Sequence, residues 1–348
     1  MRKPVLPIHS APPRRMKAAV NTRYGPPQVV RVIEVDKPTP KDDELLVRVH
    51  ATTVNRTDCG YRAAKPVVMR LFFGIFRPKV TVLGTEFAGE VEAIGREVTS
   101  FVPGDGVFGY IEGRFGAHAE YLTIPEGGSV ATMPQGSTYH EVAPGTEGSH
   151  YALSFLTKAG IRRGHVILVN GATGAIGSAA VQLAKSLGAE VTAVCGTEQV
   201  PLVESLGADR VIDYQSEDFT DDGQIYDAVL DAVGKTSFRR CRRLLKPGGV
   251  YASSDLGFLS QNPVLALVTP LFRGRKVVFP IPRHDQSMVR YLGELIGFGQ
   301  FRPVVDRQYP LDQIVAAYEY VETGQKIGNV VIDIAPAVEG PSPEPHGV

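Results

Sequence analysis

A strand, a glycine-rich turn and a helix follow one another without interruption in residues 166–188, and this stretch constrains the fold more than any other. The apolar run from Val166 to Val169 is typical of a strand buried on both faces of a parallel sheet. The turn NGATGAIG follows, and a helix with an apolar stripe then runs on to Gly188. This order predicts the first unit of a doubly wound α/β fold.

The glycines of this turn point to a ligand. Gly171 and Gly174 permit a tight turn and let the backbone approach a pyrophosphate, while Gly177 lets the helix pack close to the strand. The helix N-terminus offers unpaired N–H groups and the positive end of its dipole to phosphates. We therefore predict a dinucleotide site, with the cofactor-binding residues Asn170, Gly171, Ala172, Thr173, Gly174, Ala175, Ile176 and Gly177.

The chain changes character near Ala143. Before this point, short strands alternate with glycine and proline turns, which is typical of a β-barrel-like domain. After it, strand and helix patterns alternate, which indicates crossover connections and a parallel sheet with helices on both faces. The sequence therefore predicts two domains of different architecture.

Composition excludes several classes of partner. The 348 residues carry 37 basic and 37 acidic side chains, so no net charge favours nucleic acid or an anionic membrane. No apolar run reaches the ~18 residues of a membrane span. Three widely spaced cysteines indicate a reducing compartment, and we expect a cytoplasmic protein. Residues 1–15 and 336–348 read as a disordered extension and a disordered tail.

Six motifs in a defined order carry a family resemblance. They are VNRTDCGYR at 54–62, LGTEFAGEVEAIG at 83–95, VPGDGVFG at 102–109, the glycine turn at 167–177, LGADRVIDY at 206–214 and LLKPGG at 244–249. Residues 16–334 thereby resemble the medium-chain dehydrogenase/reductase superfamily, and especially its zinc-independent, quinone oxidoreductase-like branch. The resemblance implies a GroES-like domain at 16–142 and 306–335 and a Rossmann domain at 143–305.

The same comparison predicts that no metal is bound. Zinc-dependent members have a cysteine at the position of Asn55 and a histidine at the position of Thr85, and neither residue present here is a good zinc ligand. Residues 95–121 also lack the cysteines of a structural zinc loop. Cys59, four residues after Asn55, is expected to pack rather than to coordinate.

The end of the second parallel strand bears on the choice of cofactor. An NAD enzyme usually has an acidic residue there, whereas this chain has Cys195, Gly196 and Thr197. Thr197 could donate to a 2′-phosphate, and Tyr214 matches a tyrosine that contacts that phosphate in the family. The chain departs from the family by lacking a basic residue after Thr197. We expect NADPH rather than NADH, and we add Val233 and Gly234 to the predicted cofactor-binding set.

The resemblance places the reacting groups between the two domains. Asn55 is expected to bond substrate or nicotinamide, or to cap a helix. Tyr61 is a candidate donor to a carbonyl, and Tyr151 or His150 is expected beside the nicotinamide. Residues 65–79 are rich in apolar side chains and lie where relatives place a loop over the substrate. This favours a hydrophobic carbonyl or quinone substrate. The resemblance also implies a homodimer.

Three functions fit these observations. The first is NADPH-dependent reduction of a quinone or an α,β-unsaturated carbonyl compound without a metal. The second is a zinc-free alcohol dehydrogenase activity, and the third is binding of NADPH without catalysis. A Tyr-x-x-x-Lys string at 61–65 matches the catalytic pair of short-chain dehydrogenases, but it precedes the glycine turn by about a hundred residues, so we treat it as a coincidence.

Overall fold

The computed structural model describes residues 15–67, 70–111, 113–257, 261–272, 274–279 and 285–334. The predicted disordered segments lie outside these residues, apart from Arg15, with which the first strand begins. Among the described residues, no helix is long and apolar enough to cross a membrane.

Strands and helices are numbered in chain order. The strands are β1 (Arg15–Asn21), β2 (Val30–Asp36), β3 (Glu44–Val54), β4 (Glu86–Ile94), β5 (Gly106–Tyr110), β6 (Tyr121–Pro125), β7 (Val130–Thr132), β8 (Val166–Asn170), β9 (Glu190–Cys195), β10 (Arg210–Asp213), β11 (Tyr226–Asp231), β12 (Leu245–Ser253), β13 (Lys276–Val278), β14 (Val305–Pro310) and β15 (Asn329–Asp333). The helices are α1 (Arg56–Ala63), α2 (Arg70–Phe73), α3 (Tyr139–Val142), α4 (Glu147–Lys158), α5 (Ala175–Ser186), α6 (Val200–Ser205), α7 (Phe238–Cys241), α8 (Gln261–Val268), α9 (Gln286–Gly297) and α10 (Ile314–Glu322).

The second half of the chain forms a parallel sheet with strand order β10-β9-β8-β11-β12-β13. This is the doubly wound order, which places a crevice at the carboxyl ends of β8 and β11. The side chains of β8 alternate between two cores: Ile167 and Val169 pack on one face of the sheet and Leu168 on the other. All three are fully buried, which explains why β8 reads as an unbroken apolar run.

The first half forms a mainly antiparallel barrel that the end of the chain completes. Its strands follow the order β14-β15-β3-β4-β5-β7, and β6 also pairs with β3. At Gly89 the backbones of β3 and β4 approach closely: a Cβ on this residue would lie 2.1 Å from the Arg48 carbonyl oxygen. β15 pairs with β3, so the C-terminal segment belongs to this sheet. The α/β fold class, with a GroES-like barrel and a Rossmann sheet, is thus confirmed.

The sequence pattern also predicts a pair of strands at 82–95, a helix at 238–245 and a helix at 309–323, and all three have different bounds in the structure. Residues 82–95 were expected to form a pair of strands but form the single strand β4, because Gly84 takes a positive φ of 92° before it and Gly89 continues the strand. The helix predicted from Tyr309 begins only at Ile314, because Pro310 keeps Tyr309 extended in β14. The helix expected over 238–245 ends at Cys241, and a 3₁₀ turn leads into β12.

Candidate active site

A cleft of about 300 Å³ lies between the barrel and the carboxyl edge of the parallel sheet. Its walls come from both domains: Asn55 and Thr57 from the barrel, Tyr151 from α4, and Gly174 from the glycine turn. The remaining lining residues are Arg56, Glu147, Gly148, Thr173, Ala175, Ile176, Ala232, Val233, Lys235, Ser254, Asp255, Val321, Gly324, Lys326 and Asn329. The cleft is where a doubly wound sheet binds its ligand.

The glycine turn has the geometry that the sequence predicts. Gly171 adopts φ +79°, a conformation that a side chain disfavours. A Cβ on Gly177 would lie 2.1 Å from the carbonyl oxygen of Gly171, so helix α5 packs directly against the turn. Gly174 is the N-cap of α5 and has no atom within 3.8 Å of an added Cβ. The turn therefore leaves open space at a helix N-terminus, as a phosphate site requires.

Asn55 has a double role on the barrel side of the cleft. Its Oδ1 accepts a hydrogen bond from the Asp58 N–H at 3.0 Å, which caps α1, and the Asp58 carboxylate accepts one from the Asn55 N–H. Its Nδ2 donates to the Thr85 hydroxyl at 3.0 Å and to the Glu147 carboxylate. The predicted capping role and a place in the cleft wall are thus both observed.

The Asp58 carboxylate connects the start of α1 to the loop before β4 through hydrogen bonds. Its Oδ1 accepts the Gly84 N–H at 2.9 Å while its Oδ2 serves the N-cap of α1. Complete burial raises the pKa of Asp58 to about 7. Because both oxygens are engaged by backbone donors, Asp58 positions Asn55 and Thr85 and does not line the cleft.

Two further carboxyl groups meet where α4 begins. Glu86 Oε1 accepts hydrogen bonds from the backbone N–H groups of Thr146 at 2.9 Å and Glu147 at 2.5 Å. Glu147 in turn accepts from the hydroxyls of Thr57 and Thr85, each at 2.6 Å. Burial, followed by the charges of Glu86 and Asp58, raises the pKa of Glu147 well above its ordinary value.

The segment that follows α10 closes the other side of the cleft. Gly328 donates its N–H to the carbonyl of Thr173 at 2.6 Å, so this segment of the barrel touches the glycine turn. Lys326 lies two residues earlier, and its ammonium group donates to the Gly328 carbonyl. Burial lowers the pKa of Lys326, while the nearby charges of Glu147 and Glu86 act to raise it.

The structure brings only part of the predicted reacting set together. Asn55 and Tyr151 both line the cleft, and the Tyr151 ring lies 4.6 Å from that of His150. Tyr61 does not line it: its ring packs edge-on against Phe73 at 4.4 Å and Phe115 at 4.5 Å. The assignment of Tyr61 to the reacting set stays a prediction without support from this geometry.

The predicted cofactor residues form two groups. Thr173, Gly174, Ala175, Ile176 and Val233 line the cleft, whereas the other residues of the turn lie behind them and Gly234 precedes the cleft residue Lys235. Gly196, Thr197 and Tyr214 gather at the carboxyl ends of β9 and β10, where a Cβ on Gly196 would meet the Tyr214 hydroxyl at 3.2 Å.

One carboxylate at this second group was not anticipated. The Thr197 hydroxyl lies 2.6 Å from Asp213 Oδ2 and 2.7 Å from Gln215 Oε1, so two acceptors already compete for its proton. This hydrogen bond lowers the pKa of Asp213, which is therefore ionised beside the predicted 2′-phosphate position.

The donors at the family's zinc position do not fit a zinc site. Asn55 presents an amide nitrogen and Thr85 a hydroxyl, and both are already bonded to Glu147. Burial raises the pKa of the Cys59 thiol to about 12, which disfavours the thiolate that zinc prefers. In the described part of the chain, no cluster of three histidine, cysteine or carboxylate side chains is placed to hold a metal ion.

Sequence reasoning missed five charged residues of the cleft, namely Arg56, Glu147, Lys235, Asp255 and Lys326. Arg56 directly follows Asn55, so its position at the cleft could have been inferred from the helix start. Glu147 lies four residues before Tyr151, which was expected beside the nicotinamide. No local sequence pattern identifies Lys235 or Lys326 as a residue of the cleft.

The comparisons with known proteins agree with this architecture. The family described as "Alcohol dehydrogenase GroES-like domain" matches residues 41–135, and the one described as "Zinc-binding dehydrogenase" matches residues 206–332. A 2-methylene-furan-3-one reductase from Solanum lycopersicum is 32% identical, over 93% of this chain and 80% of the relative.

Two more similarities extend over most of the chain. A chloroplastic NADPH-dependent alkenal/one oxidoreductase from Arabidopsis thaliana is 30% identical, over 92% of this chain and 80% of the relative. The solved structure of a quinone oxidoreductase from Coxiella burnetii superposes with a TM-score of 0.82 at 26% identity, over 92% of this chain and all of the other. The chain belongs to the medium-chain dehydrogenase/reductase superfamily, in its quinone oxidoreductase-like branch, and is an oxidoreductase.

Proposed function

We propose that this oxidoreductase transfers hydride from NADPH to a quinone or an α,β-unsaturated carbonyl compound, without the help of a metal ion. The observation that carries the proposal is a single cleft that joins the open N-terminus of α5 to the polar wall around Asn55. The names of the relatives given above describe reductases or oxidoreductases of acceptors of this kind, and this supports the substrate class.

The residues of the cleft suit a dinucleotide. Gly174 and the first N–H groups of α5 would hold the pyrophosphate, and the cationic side chains of Arg56, Lys235 and Lys326 line the same cavity. Once bound, a reduced nicotinamide supplies the hydride that the acceptor receives. Asn55 and Tyr151 would then orient the acceptor from the barrel and from α4.

Apolar groups support a hydrophobic acceptor. Ile176, Val233 and Val321 line the cleft. Phe72 and Phe76 are 70% and 92% exposed on the segment that the family resemblance places over the substrate. Charge developing on the acceptor oxygen would be met by hydrogen-bond donors rather than by a metal, because the donors at the zinc position are bonded to one another.

The preference for NADPH over NADH is the finer part of this proposal. Tyr214 is 59% exposed beside Gly196 and is free to face an adenosine ribose. The ionised Asp213 would repel a 2′-phosphate at the same edge and so reduces the preference for NADPH. We therefore expect both cofactors to bind, with NADPH still the better.

We also propose a cytoplasmic homodimer with the domain division given above. Cys59, Cys195 and Cys241 are all free and buried, as in a reducing compartment. Among the described residues, β13 pairs only with β12, which leaves an edge through which two parallel sheets could join.

An acceptor screen tests the proposal. Purified protein is supplied with NADPH or NADH and with quinones, alkenals or enones, and cofactor oxidation is followed by absorbance in the presence and absence of a chelator. We expect acceptor-dependent oxidation of NADPH that the chelator leaves unchanged. Alcohol-dependent reduction of NADP with little quinone turnover would instead show an alcohol dehydrogenase, and binding without turnover would show a non-catalytic protein.

A further inference from the structure

Glu147 is a carboxyl group that neither the sequence motifs nor the family resemblance assigns. It is the first residue of α4, and the next residue, Gly148, touches the cofactor turn: a Cβ on Gly148 would lie 2.6 Å from the Ala175 carbonyl oxygen. The side chain of Glu147 lines the cleft yet is only 7% exposed. The group thus lies between the proposed cofactor site and the barrel wall.

The contacts of Glu147 lead toward the cleft through one hydroxyl. Its Oε2 accepts from Asn55 Nδ2 and from the Thr85 hydroxyl at 2.6 Å, and both of these residues are buried. Its Oε1 is 2.6 Å from the hydroxyl of Thr57, which is half-buried and lines the cleft. A hydroxyl can receive one proton while it releases another.

The charged and titratable groups around Glu147 act in both directions: the carboxyl groups of Asp58 and Glu86 oppose its ionisation, whereas hydrogen bonds from Thr57 and Thr85 and the ammonium group of Lys326 favour it. The charged and titratable groups are Arg56 and Asp58 of α1, Glu86 of β4, His150 of α4 itself, and Lys326 of the segment after α10. Burial and two neighbouring carboxyl groups raise the pKa of Glu147, while burial lowers the pKa of Lys326. The net effect of burial and of the two like charges is a raised pKa, which favours the protonated acid at Glu147.

We propose that Glu147 is the proton source for the reduction of an activated alkene, and that the Thr57 hydroxyl passes this proton to the substrate. The inference rests on the proposed function. Reduction of the alkene takes a hydride from the reduced nicotinamide and one proton from Glu147, relayed through Thr57, so the carbon–carbon double bond becomes a single bond. Glu147 is left as a carboxylate and regains its proton from solvent after product release.

The two acceptor classes differ in their need for this proton. Reduction of an enone ends with protonation of a carbon atom, which is slow without a positioned acid. A reduced quinone carries its charge on oxygen and takes a proton from water readily. Loss of the Glu147 proton should therefore impair alkene reduction far more than quinone reduction, so the quinone reaction serves as the comparison within one protein.

The experiment compares Glu147→Gln, Thr57→Val and Thr57→Ser with the unaltered protein on one enone and one quinone. A positioned general acid contributes roughly 100- to 10,000-fold. We expect Glu147→Gln to lower kcat for the enone by about 100-fold or more. The loss on the quinone should be at least about tenfold smaller, since only the enone needs the positioned proton. Thr57→Val should lower enone reduction by about tenfold or more, and Thr57→Ser should restore it.

A second readout does not depend on turnover. Infrared difference spectroscopy of the cofactor-free protein at pH 7 should show a protonated carboxyl band, part of which Glu147→Gln removes. Fluorescence titration with NADPH establishes that each variant still binds cofactor. If Glu147→Gln does not fold, the Thr57 pair decides the question.

The outcomes distinguish a wrong role for Glu147 from a wrong proposed function. Equal losses on both acceptors, or no loss on either, would overturn the role of Glu147, as would an unaltered protein that reduces quinones alone. An unaltered protein that reduces neither acceptor would instead overturn the proposed function.

Discussion

Replacement of Gly174 by aspartate should weaken cofactor binding roughly 100-fold without weakening the fold. Gly174 caps α5 with φ −72° and ψ 170°, which any residue can adopt, and an added Cβ would have no neighbour closer than 3.8 Å. Aspartate is a good N-cap residue, so the free energy of unfolding should rise by a few tenths of a kcal/mol or stay unchanged. This corresponds to a change in Tm of about 1 °C or less.

The same substitution should weaken cofactor binding. A carboxylate at this N-cap would face the phosphates that the turn is proposed to hold. Two unit charges ~5 Å apart repel by about 3 kcal/mol at an effective dielectric constant of ~20. That free energy weakens Kd roughly 100-fold. Gly174→Asn is the matched control, because it has the same size and capping ability without the charge.

Fluorescence titration with NADPH and a thermal melt of each variant are the measurements. We expect the aspartate variant to lose affinity, the asparagine variant to keep most of it, and both to melt like the unaltered protein. An aspartate variant that binds within about threefold of the unaltered protein would refute the assignment of the turn, since no charge effect of ~3 kcal/mol would then exist. Equal losses in both variants would show that bulk, not charge, matters.

Three further changes test other parts of the structure. Arg56→Gln should raise the Kd for NADPH about tenfold by removing a charged donor from the cleft, and unchanged affinity in the same titration would place the cofactor elsewhere. Asp213→Asn should raise the ratio of kcat/KM for NADPH to that for NADH about fivefold, because it removes a carboxylate beside Thr197; steady-state kinetics with both cofactors measure it, and an unchanged ratio would contradict it. Burial lowers the pKa of His118 to about 4, below its unfolded value of about 6.5, so the neutral ring stabilises the fold above pH 6.5 and up to about 3 kcal/mol is lost as the pH falls toward 4. Urea unfolding between pH 7 and 4 should show that the free energy of unfolding depends less on pH in His118→Gln than in the unaltered protein. The same pH dependence in both proteins would count against this.

The fold was predictable because its main signals are local. The apolar run of β8, the glycines of its turn and the stripe of α5 are contiguous in sequence, and the structure confirms all three. The misplaced bounds arise where a single residue overrides a pattern. Pro310 delays the start of α10, and Gly89 lets β4 run through a position that reads as a break.

The sequence by itself determined the family, the two architectures and the open turn at Gly174, since each depends on neighbouring residues. Only the tertiary structure decided what surrounds the reacting end. Asn55, Thr85 and Glu147 come from three segments: the first two are 30 positions apart in sequence and the last two 62 positions apart, and no local pattern links them. Their hydrogen bonds exist because the barrel and α4 converge on one cleft. The raised pKa of Glu147 follows from that burial and from the carboxyl groups folded beside it.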